Sequence, residues 1–254
     1  MPKFAANLTF LFKELPFLER FEAAAEAGFD AVEVLFPYED AATEVVRRLN
    51  RSGLPLVLIN TPPPNYTGGE RGFAAVPGLQ DRFRRDFKRC LRYAERLKPQ
   101  HIHIMAGPAQ GAEARETFID NLRWATDEAP SQSLTIEPIN QVDMPGYFLS
   151  DFQLAASTIA AVGAPNLGLQ FDTHHAHLIT GDVLGTWAKY REIVRHVQIG
   201  GIPGRHEPIG GDFDYPAFFA QLDAEGYLGY VSGEYNPKAR TAEGLDWLKL
   251  SVTA

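Results

Sequence analysis

A repeated arrangement of apolar residues and glycine is the feature that most constrains the fold of this chain. In one copy, apolar residues recur at helical spacing over 17–25, Gly28 follows, and 31–34 is a short β-rich run. Apolar residues three or four apart are typical of an amphipathic helix, and a glycine often ends one. Further copies end in the strand candidates 54–60, 167–172 and 227–234. The chain is therefore predicted to alternate helices with strands.

Eight strand candidates fit into the 254 residues, which leaves about 32 residues for each strand and its helix. Besides those above, the strand candidates are 4–8, 101–105, 134–137 and 195–199, and further helices are predicted over 80–97, 112–128, 182–190 and 241–250. Strands that alternate with helices favour a parallel sheet, and eight units can close it. We therefore predict an α/β protein, a single (β/α)8 TIM barrel over residues 1–254. An open doubly wound sheet is the alternative, although no Gly-x-Gly-x-x-Gly follows the first strand.

The composition excludes several classes of protein. Hydrophobic residues make up 45% of the chain and charged residues 22%, so the chain can bury a sizeable core. The formal net charge of −8 argues against a nucleic-acid partner, because phosphates attract basic proteins. The single cysteine, Cys90, fits a reducing compartment, and no apolar run reaches the roughly 18 residues of a membrane span. We expect a cytoplasmic protein with no membrane partner, and the sequence leaves a homo-oligomer open.

Polar residues end four successive strand candidates. Side chains alternate between the two faces of a strand, so Glu137 lies on the face opposite Ile136. The same parity turns Asp172, Gln198 and Glu234 toward the barrel axis. All four lie at or near the carboxyl ends of their strands, where TIM-barrel active sites form. The sequence thus predicts that three carboxylates and one amide meet in one place.

A cation is expected among these residues. Converging buried carboxylates repel one another and lose hydration, which costs several kcal/mol without compensation. Carboxylate and amide oxygens are ligands that Mg²⁺ and Mn²⁺ prefer. We therefore predict a divalent metal site at Glu137, Asp172, Gln198 and Glu234. The alternative is that some of these carboxylates are held by arginines.

Seven short motifs occur in a characteristic order along the chain. They are Ala-Asn-Leu at 6–8 with Leu-Phe at 11–12, Phe-Pro-Tyr at 36–38, Gly-Glu-Arg-Gly at 69–72, Ile-Glu-Pro-Ile-Asn at 136–140, Gln-Phe-Asp at 170–172 with His175, His-Val-Gln-Ile at 196–199 with Pro-Gly-Arg-His-Glu-Pro at 203–208, and Gly-Glu-Tyr at 233–235. With them the chain resembles the hydroxypyruvate isomerase family, within the xylose-isomerase-like barrels, over residues 1–250. The resemblance implies a metal-assisted isomerisation of a small anionic sugar acid. The substrate would be hydroxypyruvate, giving tartronate semialdehyde, or a 2-oxo-tetronate, giving its 3-oxo isomer.

The resemblance also implies roles for individual residues. Glu137, Asp172, Gln198 and Glu234 match the family's metal site, and Glu137 and Glu234 match its acid/base pair. A proton would move between adjacent carbons through an enediolate, with one glutamate on each side of its plane. The predicted substrate-binding residues are His175, Arg205, Arg71, Glu70, His103 and Asn7. Arginine suits a substrate carboxylate because its planar fork matches the two oxygens, although either arginine could instead be a structural ion-pair partner.

Two further glutamate and histidine positions have structural interpretations. Glu33 ends the second strand candidate and is interpreted as a hydrogen-bonding partner for an arginine or histidine. His196 is interpreted as a residue of the barrel interior rather than a catalyst. The sequence departs from the family's pattern at His174, His177 and Asn236, where tyrosine, glutamine and lysine are expected.

Three other functions are weighed against the isomerase. A ketose 3-epimerase would use the same ion and glutamates but return the proton to the same carbon. Such epimerases usually have a histidine at the position of Gln198. A metal-dependent endonuclease would need further zinc ligands and a basic groove, and a non-catalytic sugar-acid-binding protein would not need two flanking glutamates.

Overall fold

A computed structural model describes residues 2–63 and 71–252, and these residues form eight strands. The strands are Lys3–Asn7 (β1), Ala31–Glu33 (β2), Leu58–Asn60 (β3), His101–His103 (β4), Ser133–Ile136 (β5), Leu167–Asp172 (β6), Val194–Ile199 (β7) and Tyr230–Gly233 (β8). The α-helices are Arg20–Glu26 (α1), Ala42–Ser52 (α2), Gln80–Leu97 (α3), Gly111–Glu128 (α4), Phe152–Val162 (α5), Thr173–Thr180 (α6), Val183–Tyr190 (α7) and Tyr215–Ala224 (α8). Short 3-10 helices lie at Phe17–Glu19, Arg191–Ile193, Thr241–Gly244 and Asp246–Val252.

The strands form one parallel sheet in the order β2-β1-β8-β7-β6-β5-β4-β3. At the ends of this order, Val32 forms a parallel bridge with Leu56, and Val34 N–H donates to the carbonyl of Leu58 at 3.1 Å. The strands thus make a nearly closed barrel with helices between them. The predicted (β/α)8 TIM barrel is confirmed.

The chain divides into two compact units. The first contains Met1–Leu58, Asp172–His174 and His196–Ala254, and the second contains Ile59–Phe171 and His175–Arg195. The prediction of one domain over residues 1–254 stays a prediction.

Aromatic side chains build the core of each unit. In the first, Trp247 meets Phe4 edge to face at 5.1 Å between ring centroids, and its Nε1 donates to the Tyr235 hydroxyl at 3.0 Å. In the second, Phe171 meets Trp187 edge to face at 5.4 Å. Edge-to-face pairs add to the stabilisation that burial of these large side chains gives.

The strands predicted over 54–60 and 227–234 begin later, at Leu58 and Tyr230, and two other segments differ more from the prediction. The helix predicted over 241–250 is instead a pair of 3-10 helices, Thr241–Gly244 and Asp246–Val252. Gly244 interrupts the segment, and burial of Trp247 in the core fixes its path, so tertiary packing overrides the helical spacing. The helix α6, which follows β6 directly, was not predicted. Within 2–63 and 71–252, no helix is both long and apolar enough to cross a membrane.

Candidate active site

A buried network of polar side chains lies in the first unit around Glu33, the last residue of β2. We call it the Glu33 cluster, and it consists of Asn7, Glu33, His196, Gln198 and Glu234. The Glu33 carboxylate accepts from Asn7 Nδ2 at 2.6 Å and from Gln198 Nε2 at 2.6 Å. Nε2 of His196 lies 2.7 Å from its second oxygen. The structure thus agrees with the interpretation of Glu33 as a partner of histidine, and adds two amide donors.

Glu234, directly after β8, shares the amide donors of Glu33. Its Oε2 accepts from Asn7 Nδ2 at 2.8 Å and from Gln198 Nε2. Burial raises the pKa of Glu234 to about 8; the Arg205 guanidinium opposes this rise, and the carboxylates of Glu33 and Asp172 add to it. The two neighbouring carboxylates disfavour the charged form of Glu234, and the nearby positive charge of Arg205 favours it.

The carboxamide of Gln198 has a defined orientation. Its Nε2 donates to both Glu33 and Glu234, so nitrogen is the atom that faces the two carboxylates. Its oxygen is the atom that could ligate a cation, because an amide nitrogen has no lone pair to offer.

Arg205 and Asp172 form an ion pair in the same unit. Asp172 ends β6, and its Oδ1 accepts from the backbone N–H of His174 at 2.7 Å. Its Oδ2 lies 2.8 Å from Nη2 of Arg205, and the same nitrogen lies 2.6 Å from Oε1 of Glu234. Arg205 therefore contacts two of the four predicted metal ligands.

The second unit holds a similar network around Glu137, which follows β5. We call it the Glu137 cluster, and it consists of His103, Thr135, Glu137, Gln170 and His175. Thr135 Oγ1 donates to Gln170 Oε1 at 3.0 Å, and Gln170 Nε2 donates to Glu137 Oε2 at 3.0 Å. These bonds fix the amide of Gln170 with its nitrogen toward the carboxylate.

The second oxygen of Glu137 faces His175. Nε2 of His175 lies 3.9 Å from Glu137 Oε1, and its Nδ1 lies 2.7 Å from Nδ2 of Asn140. The oxygen of Asn140 already accepts from the N–H groups of Val142 and Asp143, so its nitrogen is the donor to His175. Neutral His175 therefore accepts at Nδ1 and carries its proton on Nε2, toward Glu137.

The remaining predicted substrate-binding residues lie in different surroundings. His103 is buried in the Glu137 cluster, with Nδ1 3.6 Å from Glu137 Oε2 and 3.2 Å from Asn60 Oδ1. Arg71 is exposed and directly precedes Gly72, which pairs with Ala106. Glu70 lies outside the described residues, so its predicted role stays a prediction.

Sequence reasoning assigned no role to Gln170 or Asn140. Gln170 is two residues before Asp172 on β6 and therefore on the same face of that strand, a signal that parity could have given. Asn140 lies in a loop after β5, where no periodicity applies. Its contact with His175 depends on tertiary structure.

The donors of the first unit fit a hard divalent cation. Asp172, Gln198 and Glu234 offer carboxylate and amide oxygens, and all three side chains are buried. Mg²⁺ and Mn²⁺ prefer such oxygens over sulfur and nitrogen. The described residues also include groups of carboxylate and histidine side chains close enough together to hold a metal ion.

Comparison with known proteins identifies the family of this chain. A family model described as the xylose isomerase-like TIM barrel matches residues 21–251. The chain is 45% identical to a 2-oxo-tetronate isomerase of Cupriavidus necator, over 98% of both chains. It is 42% identical to a putative hydroxypyruvate isomerase of Homo sapiens, over 97% of this chain and 94% of the relative.

A solved structure is also very similar. The crystal structure of a protein titled AP endonuclease, family 2, from Brucella melitensis superposes with a TM-score of 0.94 at 43% identity, over 98% of both chains. The chain therefore belongs to the xylose isomerase-like TIM-barrel family, as an enzyme of the group that contains the hydroxypyruvate and 2-oxo-tetronate isomerases.

Proposed function

We propose that this protein interconverts the carbonyl isomers of a small hydroxy-keto acid, with hydroxypyruvate and 2-oxo-tetronate as the candidate substrates. The names of its relatives support the reaction class. The low cysteine content supports a cytoplasmic location. We assign the acid/base chemistry to Glu137 and Glu234.

One observation carries this assignment. Each of the two glutamates is buried, and each accepts a hydrogen bond at one oxygen from a glutamine amide, Gln170 for Glu137 and Gln198 for Glu234. These bonds hold one oxygen of each carboxylate and so define the direction of the other oxygen, which in Glu234 is contacted by Arg205. A general base needs such a defined direction, because it must lie within hydrogen-bond distance of the proton that it removes from the substrate.

The chemistry relocates two protons. Moving a carbonyl to the adjacent carbon requires removal of a C–H proton and delivery of a proton to the neighbouring carbon, while the hydroxyl proton leaves the oxygen that becomes the carbonyl and a proton is added to the former carbonyl oxygen. One glutamate removes the proton and the other delivers it, and the roles exchange when the reaction runs backwards. A positioned carboxylate accelerates such a transfer by roughly 10²–10⁴-fold.

Charge stabilisation completes the proposal. A divalent ion, Mg²⁺ or Mn²⁺, held by Glu137, Asp172, Gln198 and Glu234 would supply positive charge that stabilises the enediolate by several kcal/mol. Arg205 and Arg71 are the proposed partners of the substrate's carboxylate. His175, His103, Asn7 and Glu70 are proposed to line and orient the site, and the proton on Nε2 makes His175 a donor.

The test is exchange of hydrogen for deuterium during turnover. The purified protein is incubated in D₂O with Mg²⁺ or Mn²⁺ and, separately, hydroxypyruvate, a panel of 2-oxo-tetronates and a panel of ketoses. Proton and carbon NMR then locate the deuterium and the carbonyl. We expect a shifted carbonyl, with deuterium at the carbon next to it. Deuterium at one carbon with inverted configuration and an unshifted carbonyl would identify an epimerase instead.

Variants test the two glutamates. Glu137→Gln and Glu234→Gln keep the shape of the side chain and are expected to lower turnover at least about 10²-fold. Glu192→Gln is the matched control, because its side chain is 87% exposed. Full activity in either of the first two variants overturns the role of that glutamate. Because one solved relative is titled an AP endonuclease, cleavage of abasic-site DNA is assayed alongside, and cleavage without isomerisation would overturn the proposal.

A further inference from the structure

The position of Arg205 is set by its backbone. It lies in the loop after β7, its N–H donates to the carbonyl of Gly201 at 2.8 Å, and its own carbonyl accepts from Asn236 N–H at 2.8 Å. The guanidinium carbon lies 5.3 Å from the centre of the Phe10 ring. These contacts limit the region that the guanidinium can reach.

One nitrogen of this guanidinium bridges two carboxylates. Nη2 lies 2.8 Å from Oδ2 of Asp172 and 2.6 Å from Oε1 of Glu234. The side chain of Arg205 is 15% exposed, and that of Asp172 is fully buried. Water therefore screens these charge pairs only weakly, and each bond is of the strong, charge-assisted kind.

The second oxygen of each carboxylate is engaged by other parts of the fold. Oδ1 of Asp172 accepts from the backbone N–H of His174 at 2.7 Å, at the start of α6. Oε2 of Glu234 accepts from Asn7 at 2.8 Å and from Gln198. A divalent ion bound by both carboxylates would compete with Arg205 for their negative charge, most directly at the two oxygens that Arg205 contacts.

We propose that Arg205 is the counter-ion of Asp172 and Glu234 in the metal-free protein, and that it gives up both carboxylates to the divalent ion and turns to the substrate's carboxylate. This inference rests on the proposed metal site and adds an exchange of cations within it. The guanidinium that leaves keeps its charge and its planar fork, which suits a second carboxylate. Arg205 thus links occupation of the metal site to binding of an anionic substrate.

Titration of metal-free protein with Mn²⁺ in a calorimeter tests the exchange. Arg205→Gln is expected to bind Mn²⁺ at least about tenfold more tightly than wild type, because two charge-assisted bonds no longer have to be broken. The same variant should have a higher KM for the sugar acid, because the substrate loses a cation. Arg195→Gln is the matched control: it removes one positive charge at the amino end of β7, where Arg195 Nη2 donates to the carbonyl of Pro165 at 3.1 Å.

The outcomes separate this inference from the proposed function. If wild type binds Mn²⁺ and isomerises substrate but Arg205→Gln binds no more tightly, the exchange is wrong and the isomerase proposal stands. If neither protein binds Mn²⁺, the proposed metal site and the exchange both fail. Circular dichroism checks the fold of Arg205→Gln. If that variant does not fold, Arg205→Met, which also removes the positive charge, decides: tighter Mn²⁺ binding than wild type supports the exchange, and equal or weaker binding overturns it.

Discussion

Nε2 of His196 lies 2.7 Å from Oε2 of Glu33, and both side chains are fully buried. The other oxygen of Glu33 accepts from Asn7 and Gln198, each at 2.6 Å. Since Gln198 and Asn7 also donate to Glu234, Glu33 determines how these two amides are presented to Glu234. Glu33 is a positioning residue in this arrangement.

Replacing Glu33 by glutamine should therefore affect both stability and turnover. A glutamine has one acceptor oxygen for three donors and brings an N–H group toward them, so we expect a loss of about 3 kcal/mol in the free energy of unfolding. The kcat of the variant should change by a larger factor than its KM, because the amides of Asn7 and Gln198 lose their orientation toward Glu234. Urea unfolding and steady-state kinetics measure the two effects, with Glu192→Gln as the exposed control. Unchanged kcat in a folded variant would remove the positioning role.

Replacing Asn7 by aspartate should place a third carboxylate beside Glu33 and Glu234. Like charges at hydrogen-bond distance repel, so Asn7→Asp should be less stable than Asn7→Ala at pH 8. The gap between the two variants should narrow at pH 5, because protonation of a carboxyl group relieves the repulsion. Urea unfolding at both pH values provides the comparison. Equal stability of the two variants at pH 8 would contradict the expected repulsion. It would mean that water or a cation reaches this position and screens the added charge.

Replacing Gln170 by leucine should reduce turnover through Glu137. The change removes the 3.0 Å hydrogen bond to Glu137 Oε2 and keeps a similar volume. We expect kcat to fall about tenfold, which corresponds to about 1.4 kcal/mol in the barrier. Thr135→Val is the control: it removes the hydroxyl that donates to Gln170 but leaves the Glu137 bond in place. A larger fall in kcat for Thr135→Val than for Gln170→Leu would contradict the proposal that Gln170 is the residue that orients Glu137.

Tyr215 provides a pH-dependent prediction for stability. Its hydroxyl donates to the carbonyl of Gly200 at 2.6 Å, and burial raises its pKa above the ordinary value of 10.0. A group whose pKa is raised in the folded state contributes stability below its unfolded pKa, and this contribution is lost as the pH rises above about 10. Tyr215→Phe should lower the free energy of unfolding by about 1 kcal/mol at pH 7. Above pH 10, the free energy of unfolding of this variant should fall less steeply with pH than that of wild type. Parallel alkaline unfolding curves for the two proteins would refute this.

The fold and the predicted direction of several site residues follow from local patterns. The glycine after each helical run and the β-rich run behind it predict the strands, and strand parity predicts that Glu137, Asp172 and Gln198 point the same way from their strands. The three are buried at or near strand ends, and their shared direction stays a prediction. The fold prediction succeeds because helix and strand periods are properties of short segments.

The rest depends on contacts between distant residues. No period relates Glu33 to His196, which is 163 residues away, or Asn140 to His175, 35 residues away. The hydrogen bonds that orient the glutamates form only when separate strands meet. The path of the segment around Trp247 was missed for the same reason, since its burial against Tyr235 outweighs local helix preference.

The backbone of Arg205 has a φ of 52°, a region in which glycine is the usual residue and other side chains cost about 1–2 kcal/mol. Glycine at this position would relieve the backbone strain, but it would also remove the guanidinium. The loop therefore keeps an unfavourable backbone conformation at the residue that places a positive charge beside two buried acids. Stabilising redesign of this enzyme should leave this residue untouched, even though it is where local backbone strain could be relieved.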